Sequence, residues 1–161
     1  MTRNTFFILC LIGVILVASA CRAPGTENPS ANSNLPADLP SLDPQRIEKG
    51  ERIYVQHCSA CHGLDLEGEV NWKEPNPDGS FRAPPHDASG HTWHHGDAQL
   101  IEAIRWGGAR LPANFGASNM PAYEEILTEA EMIAVLDYIK SAWPDELRVV
   151  QWQQTLQTGT P

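Results

Sequence analysis

A small all-α domain is what this sequence predicts, because three helical stretches each carry their own start or stop signal. The first opens at Asp43-Pro44, where Asp can accept from the free N–H groups of a first turn and Pro suits the first helical position. It runs into the Cys58 region, and Ile47, Gly50, Ile53 and Tyr54 share one face at spacings of three and four. Gly50 would normally cost helix stability, so its place on that face predicts another helix crossing closely there. The second stretch spans Asp97 to Trp106, with Leu100, Ile101 and Ile104 inward and Gly107-Gly108 as terminator. The third opens with the capping box Thr128-Glu-Ala-Glu131. Its apolar face is Ile133, Leu136, Ile139 and Trp143, with Tyr138 at the edge, and Pro144 stands just beyond.

The 161 residues suffice for one domain with accessory segments and fall short of two good cores. With 11 basic against 20 acidic residues the formal charge is −9. Phosphate binding needs clustered Lys and Arg, so this balance argues against nucleic acid as a partner. An acidic surface would suit a partner with a basic docking face; the plainer reading is that it keeps the protein soluble.

The N-terminus reads as an export signal over residues 1–20. Arg3 is the only charge before Arg22, the run from Phe6 to Val17 is apolar, and Ala18-Ser19-Ala20 are small. That apolar run is short for a spanning helix. Cys21 follows directly, and Val17-Ala18-Ser19-Ala20-Cys21 resembles a bacterial lipobox, with Ala18 where Leu is usual. The resemblance implies lipidation of Cys21 and a place at the outer face of the cytoplasmic membrane or in the periplasm; cleavage without lipidation is the alternative. Residues 21–42 are rich in Pro, Ser, Asn and Ala without apolar periodicity, and read as a lipid-anchored flexible tether. Flexible-chain scaling gives it an average reach of roughly 25 Å.

The first helix delivers Cys58-Ser-Ala-Cys61-His62. Two thiols one helical turn apart can each add to a vinyl group of one haem, and the adjacent imidazole can ligate the iron from the same side. C-x-x-C-H is the attachment signal for c-type haem. A thioredoxin-like pair would expect a preceding strand, a zinc site needs two further ligands, and an exported chain could form a plain disulfide. For the opposite face of the iron, the methionines that remain after signal removal are Met120 and Met132. Met132 sits in a helical pattern, whereas Met120 sits in the Gly- and Pro-punctuated stretch Gly116–Tyr123, a loop able to cross a haem face.

The stretch Gly50 to Gly63, the Met120-Pro121 loop and the final helix resemble class I cytochromes c, over about residues 43–143. The resemblance implies a small class I cytochrome c fold, three to five helices wrapped around one covalently attached haem c, with His62 and Met120 as axial ligands to its iron. It also implies a crossing of first and last helices at Gly50 against Tyr138. Ala83-Pro84-Pro85 resembles the segment whose proline carbonyl accepts from the proximal histidine, which singles out Pro84.

Four histidines, His86, His91, His94 and His95, crowd the next segment. Copper or zinc binding and pH sensing are conceivable; haem-edge packing with solvent exposure is the preferred reading. Trp93 could donate its N–H to a haem propionate, or simply pack. Residues 144–161 read as a C-terminal extension, one short helix with Leu147, Val150, Trp152 and Leu156 against the core, and a frayed tail.

Full Met/His ligation leaves no site for substrate, so the expected function is a monohaem carrier of single electrons between extracytoplasmic or membrane-bound redox proteins, and not an enzyme. The alternatives are a haem enzyme or ligand sensor with a labile sixth ligand, or a fixed cytochrome subunit of a larger oxidoreductase. Donor, acceptor and oligomeric state are not legible.

Overall fold

The computed structural model describes residues 36–112 and 114–159, so the signal segment and Cys21 lie outside the described residues. Helix α1 is Pro44–His57, and the one-turn α2, Ser59–His62, follows directly; α3 is Asp97–Trp106, α4 is Glu129–Ser141 and α5 is Asp145–Thr158. The expected start and stop signals operate: Asp43 Oδ1 accepts from Gln45 N at 2.9 Å, and Thr128 and Glu131 exchange their reciprocal bonds. Gly107, at a φ of 52°, ends α3 in a conformation that a side chain would strain, and a 3-10 turn over Gly107–Arg110 follows.

The core lies where α1 crosses α4 and α3 packs on α4. Tyr54, Ile101, Ile104, Met132, Val135, Leu136, Ile139 and Trp143 are buried there. Met132 is 1 % exposed, a core-filling thioether. At the crossing, a Cβ on Gly50 would stand 1.9 Å from the Ala134 carbonyl oxygen and 3.0 Å from Tyr138 Cβ. Close approach therefore depends on the missing side chain, with Tyr54 and Tyr138 packing ring to ring at 5.2 Å beside it.

Three features depart from expectation. A two-residue parallel ladder, β1 (Ser80–Phe81) on β2 (Ala117–Ser118), joins two loops of an otherwise helical chain. The end of the expected tether is docked: Arg148 Nη2 donates to Pro40 O at 2.9 Å and Trp152 Nε1 to Asp38 Oδ2 at 3.4 Å, so the packed region begins ahead of Asp43. The C-terminal extension is a 14-residue helix, not a short one; Leu147 packs on the core as expected, but the residues it buries fully are polar. Leu156 is 59 % exposed, while Gln151 and Thr155 are enclosed. The reason is the Lys140–Asp97 ion pair beneath them, at 2.6 Å. Partly burying that carboxylate requires donors, and Gln151 Nε2 (2.6 Å) and Thr155 Oγ1 (3.1 Å) supply them.

Candidate functional site

Helix α1 and the α2 turn bring Cys58, Cys61 and His62 to one place. His62 N donates to Cys58 O at 3.0 Å and Cys61 N to the same oxygen at 3.2 Å, so the three residues form a single turn. The two cysteines form no disulfide with each other. Burial and the neighbouring Cys61 push the Cys58 thiol up to about 11. The turn is held from behind: Tyr54 OH donates to Gly63 O at 2.9 Å, and Tyr123 OH donates to His57 O at 2.6 Å.

His62 is buried, and its Nδ1 lies 2.9 Å from the Pro84 carbonyl oxygen. As the carbonyl can only accept, Nδ1 carries the proton and Nε2 keeps its lone pair for a metal. Burial lowers the His62 pKa, against the opposing pull of the Pro84 bond and the Glu69 charge, so the ligand-competent neutral ring prevails near neutral pH.

Residues 83–97 form a belt beside this turn. His86 stacks on His62 with ring centroids 4.1 Å apart, and its Nδ1 lies 2.8 Å from Thr92 Oγ1. Burial first, then His62 and His91, hold His86 well below the ordinary imidazole value. Of the packing and solvent exposure expected of these histidines, His86 shows mainly packing: the belt turns the ring inward against His62 and Tyr54, and Trp143 Nε1 clamps its backbone by donating to His86 O at 2.6 Å. The other histidines turn to different neighbours. His91 stacks on Trp72 and His94 on Trp93, while His95 meets His91 only edge-on at 5.6 Å. Among the described residues no three His, Cys, Asp or Glu side chains converge as a metal site. Trp93 Nε1 is buried without a hydrogen-bond partner among the described residues.

Met120 lies on the far loop, half-buried. Gly108 N donates to Met120 O at 2.8 Å, and Met120 N donates to Ser118 Oγ at 3.3 Å. The glycines at the end of α3 make this possible: a Cβ on Gly107 would stand 2.4 Å from Met120 O and 2.3 Å from Pro121 O. Tyr123 N donates to Arg105 O at 3.0 Å and closes the loop onto α3. The hydroxyl of Tyr123 and the Ser80–Asn119 contact were missed by sequence reasoning, because nothing local marks a long-range partner.

The arrangement defines a helical domain that sets two cysteines and a proton-fixed imidazole on one turn, with the Met120 loop held against the end of α3. The family model for cytochrome c matches residues 47–143, more than half of the chain, and the protein belongs to the cytochrome c family. It therefore binds a covalent haem c with its iron and works by haem-based electron transfer. The residues present fit that group. The two cysteines form no disulfide and stand one turn apart, His62 keeps an available nitrogen, and the Trp93 N–H, unpartnered among the described residues, needs an acceptor of the kind a propionate provides.

Proposed function

We propose that this protein is an exported, lipid-anchored carrier of single electrons, with Cys58 and Cys61 forming the thioether bonds and His62 and Met120 serving as axial ligands. The observation that carries the reading is the His62–Pro84 bond: it fixes the ring's tautomer and orientation and commits its other nitrogen to the metal. The haem supplies the one-electron chemistry. The protein's residues hold it: Pro84 sets the basicity of His62, the Met120 thioether favours a higher potential than a second histidine would, and Trp93 donates to a propionate. Lipidation at Cys21 would keep the domain close to membrane-bound partners, and the chain's −9 charge favours partners with a basic face.

The test is the visible spectrum of the mature protein, matured with a haem-attachment system, before and after carbon monoxide is added to the reduced form. A low-spin spectrum that ignores carbon monoxide is expected, with Met120→Ala becoming reactive. Prompt binding by the unsubstituted protein would refute Met120 ligation and favour a ligand sensor or enzyme. Mass spectrometry of the membrane fraction checks the anchor: a diacylated Cys21 is expected, and an unmodified mature N-terminus would refute it.

A further inference from the structure

The long connection between α2 and the belt carries none of the residues assigned to the cofactor, yet it is stitched at its base and again at Ser80. At its base Glu69 N donates to Ala83 O at 2.9 Å, and Ala83 N donates back to Glu69 Oε2 at 2.5 Å. That closes residues 69–83 into one loop, whose end adjoins Pro84, the partner of His62. Within it Ser80 is a polar residue only 2 % exposed. Its hydroxyl donates to Asp78 Oδ1 at 2.7 Å and accepts from Asn76 Nδ2 at 3.1 Å. It also accepts from Asn119 Nδ2 at 3.0 Å, and Asn119 immediately precedes Met120.

Two more contacts tie the same loop to the methionine segment. The β1–β2 ladder pairs Ser80 with Ala117 and Phe81 with Ser118. Gly116 lies against the Phe81 ring, where a Cβ would come within 2.6 Å of Cζ. A buried serine whose hydroxyl takes part in three side-chain bonds has a structural purpose, because leaving any of those partners unpaired is costly. Here the purpose is to join the loop beside Pro84 to the loop carrying Met120.

We propose that residues 69–83 form a strap that holds the Met120 loop shut, with Ser80 and Asn119 as positioning residues for Met120. This rests on Met120 being the sixth ligand. The strap then keeps small ligands off the iron and steadies the potential, and it couples the two axial sides of the haem through one loop.

The experiment uses the haem-loaded, full-length mature protein. Carbon monoxide binding to the reduced form, the midpoint potential and amide hydrogen exchange over residues 117–120 are measured for the parent, Ser80→Ala, Asn119→Ala and the double variant. Asn119 is exposed, so its replacement folds even if Ser80→Ala does not. Thr155→Val, on the distant α5, serves as a control for general loss of stability. A carbon-monoxide-inert parent is expected. Each single variant should raise the ligand-accessible population about two- to tenfold, the factor that loss of one net hydrogen bond gives. Exchange at 117–120 should quicken in parallel, and the double variant should be no worse than either single one. An inert parent with inert single variants would overturn the strap while leaving Met120 as ligand. So would additive effects, or equal reactivity in Thr155→Val. A parent that itself binds carbon monoxide would overturn the ligand reading and the strap together.

Discussion

Replacing Gly50 by Ala tests the helix crossing on which the site is built. The added methyl would stand 1.9 Å from the Ala134 carbonyl oxygen and 2.5 Å from its carbon, both backbone atoms of α4. Non-bonded atoms settle near ~3.5 Å, so the helices must part by about 1.5 Å. A close-packed interior does not absorb that by a side-chain turn. Ala gains about 1 kcal/mol over Gly in helix propensity. Overpacking costs about 1–3 kcal/mol and occasionally more, and a collision with backbone belongs at the upper end. The net loss is then about 2–3 kcal/mol, a fall of roughly 8–12 °C in thermal midpoint for a domain of this size. The displacement also reaches the attachment turn, because Tyr54, one helical turn further on, anchors Gly63 O. Differential scanning calorimetry of the haem-loaded variant checks the figure. An unchanged or raised midpoint would refute the close crossing, since only the propensity gain would then be at work.

Thr155→Val keeps the shape of a fully buried side chain but strips its bonds to Asp97 and Gln151, and should cost about 1–3 kcal/mol in denaturant unfolding. A loss below about 0.5 kcal/mol, on the order of an ordinary surface change, would mean the polar network under α5 is not tight. Gly107→Ala combines a φ of 52° with contacts to Met120 O and Pro121 O, so it should lower the midpoint and loosen the methionine loop, read as carbon monoxide uptake. Burial raises the Asp137 pKa above its unfolded value, against the pull of Arg46 and Lys140 and with a smaller push from Asp97. The native state then binds the proton more tightly, and the contribution is present below the unfolded pKa and lost as pH rises through the folded one. Asp137→Asn should remove that decline, so the midpoint of the variant relative to the parent should be higher at neutral pH than in acid; a difference that does not vary with pH would refute the assignment. Burial and neighbouring His94 lower His91, and burial, His91, Arg110 and His94 lower His95. The unfolded chain then takes up more protons, so stability should fall as pH drops below the ordinary imidazole value, and His91→Gln with His95→Gln should flatten that fall in a pH series of thermal midpoints.

Much of this protein was legible in the chain because its signals are local. Asp43-Pro44, Thr128 with Glu131, and Gly107 each act within a turn of backbone, and α1, α3 and α4 begin or end where those signals stand. The Cys58–His62 motif is local too: five residues on one helical turn set two thiols and an imidazole side by side whatever the rest of the chain does. Gly50 betrayed the crossing because a glycine amid an apolar helix face weakens the helix unless a second backbone comes close enough to need the space. The acceptor for His62 was expected at Pro84 only through family resemblance, since nothing in the spacing of residues 62 and 84 foretells a 2.9 Å approach.

What tertiary structure alone decided is which surfaces meet. The face of α5 was read only in part: Leu147 packs on the core as expected, but hydrophobicity marks a packed face only when its counterpart is apolar, and Gln151 and Thr155 of α5 lie on the partly buried Asp97–Lys140 pair. His86 looked like one of four loop histidines until the belt folded it onto His62. Ser80 and Asn119 stand far apart in the chain and carry no motif, yet the short parallel ladder sets their side chains 3.0 Å apart beside Met120. Pairings of that kind arise from the closure of loops over long separations, where the partner is chosen by geometry, so the residues themselves hold no trace of it before the chain has folded.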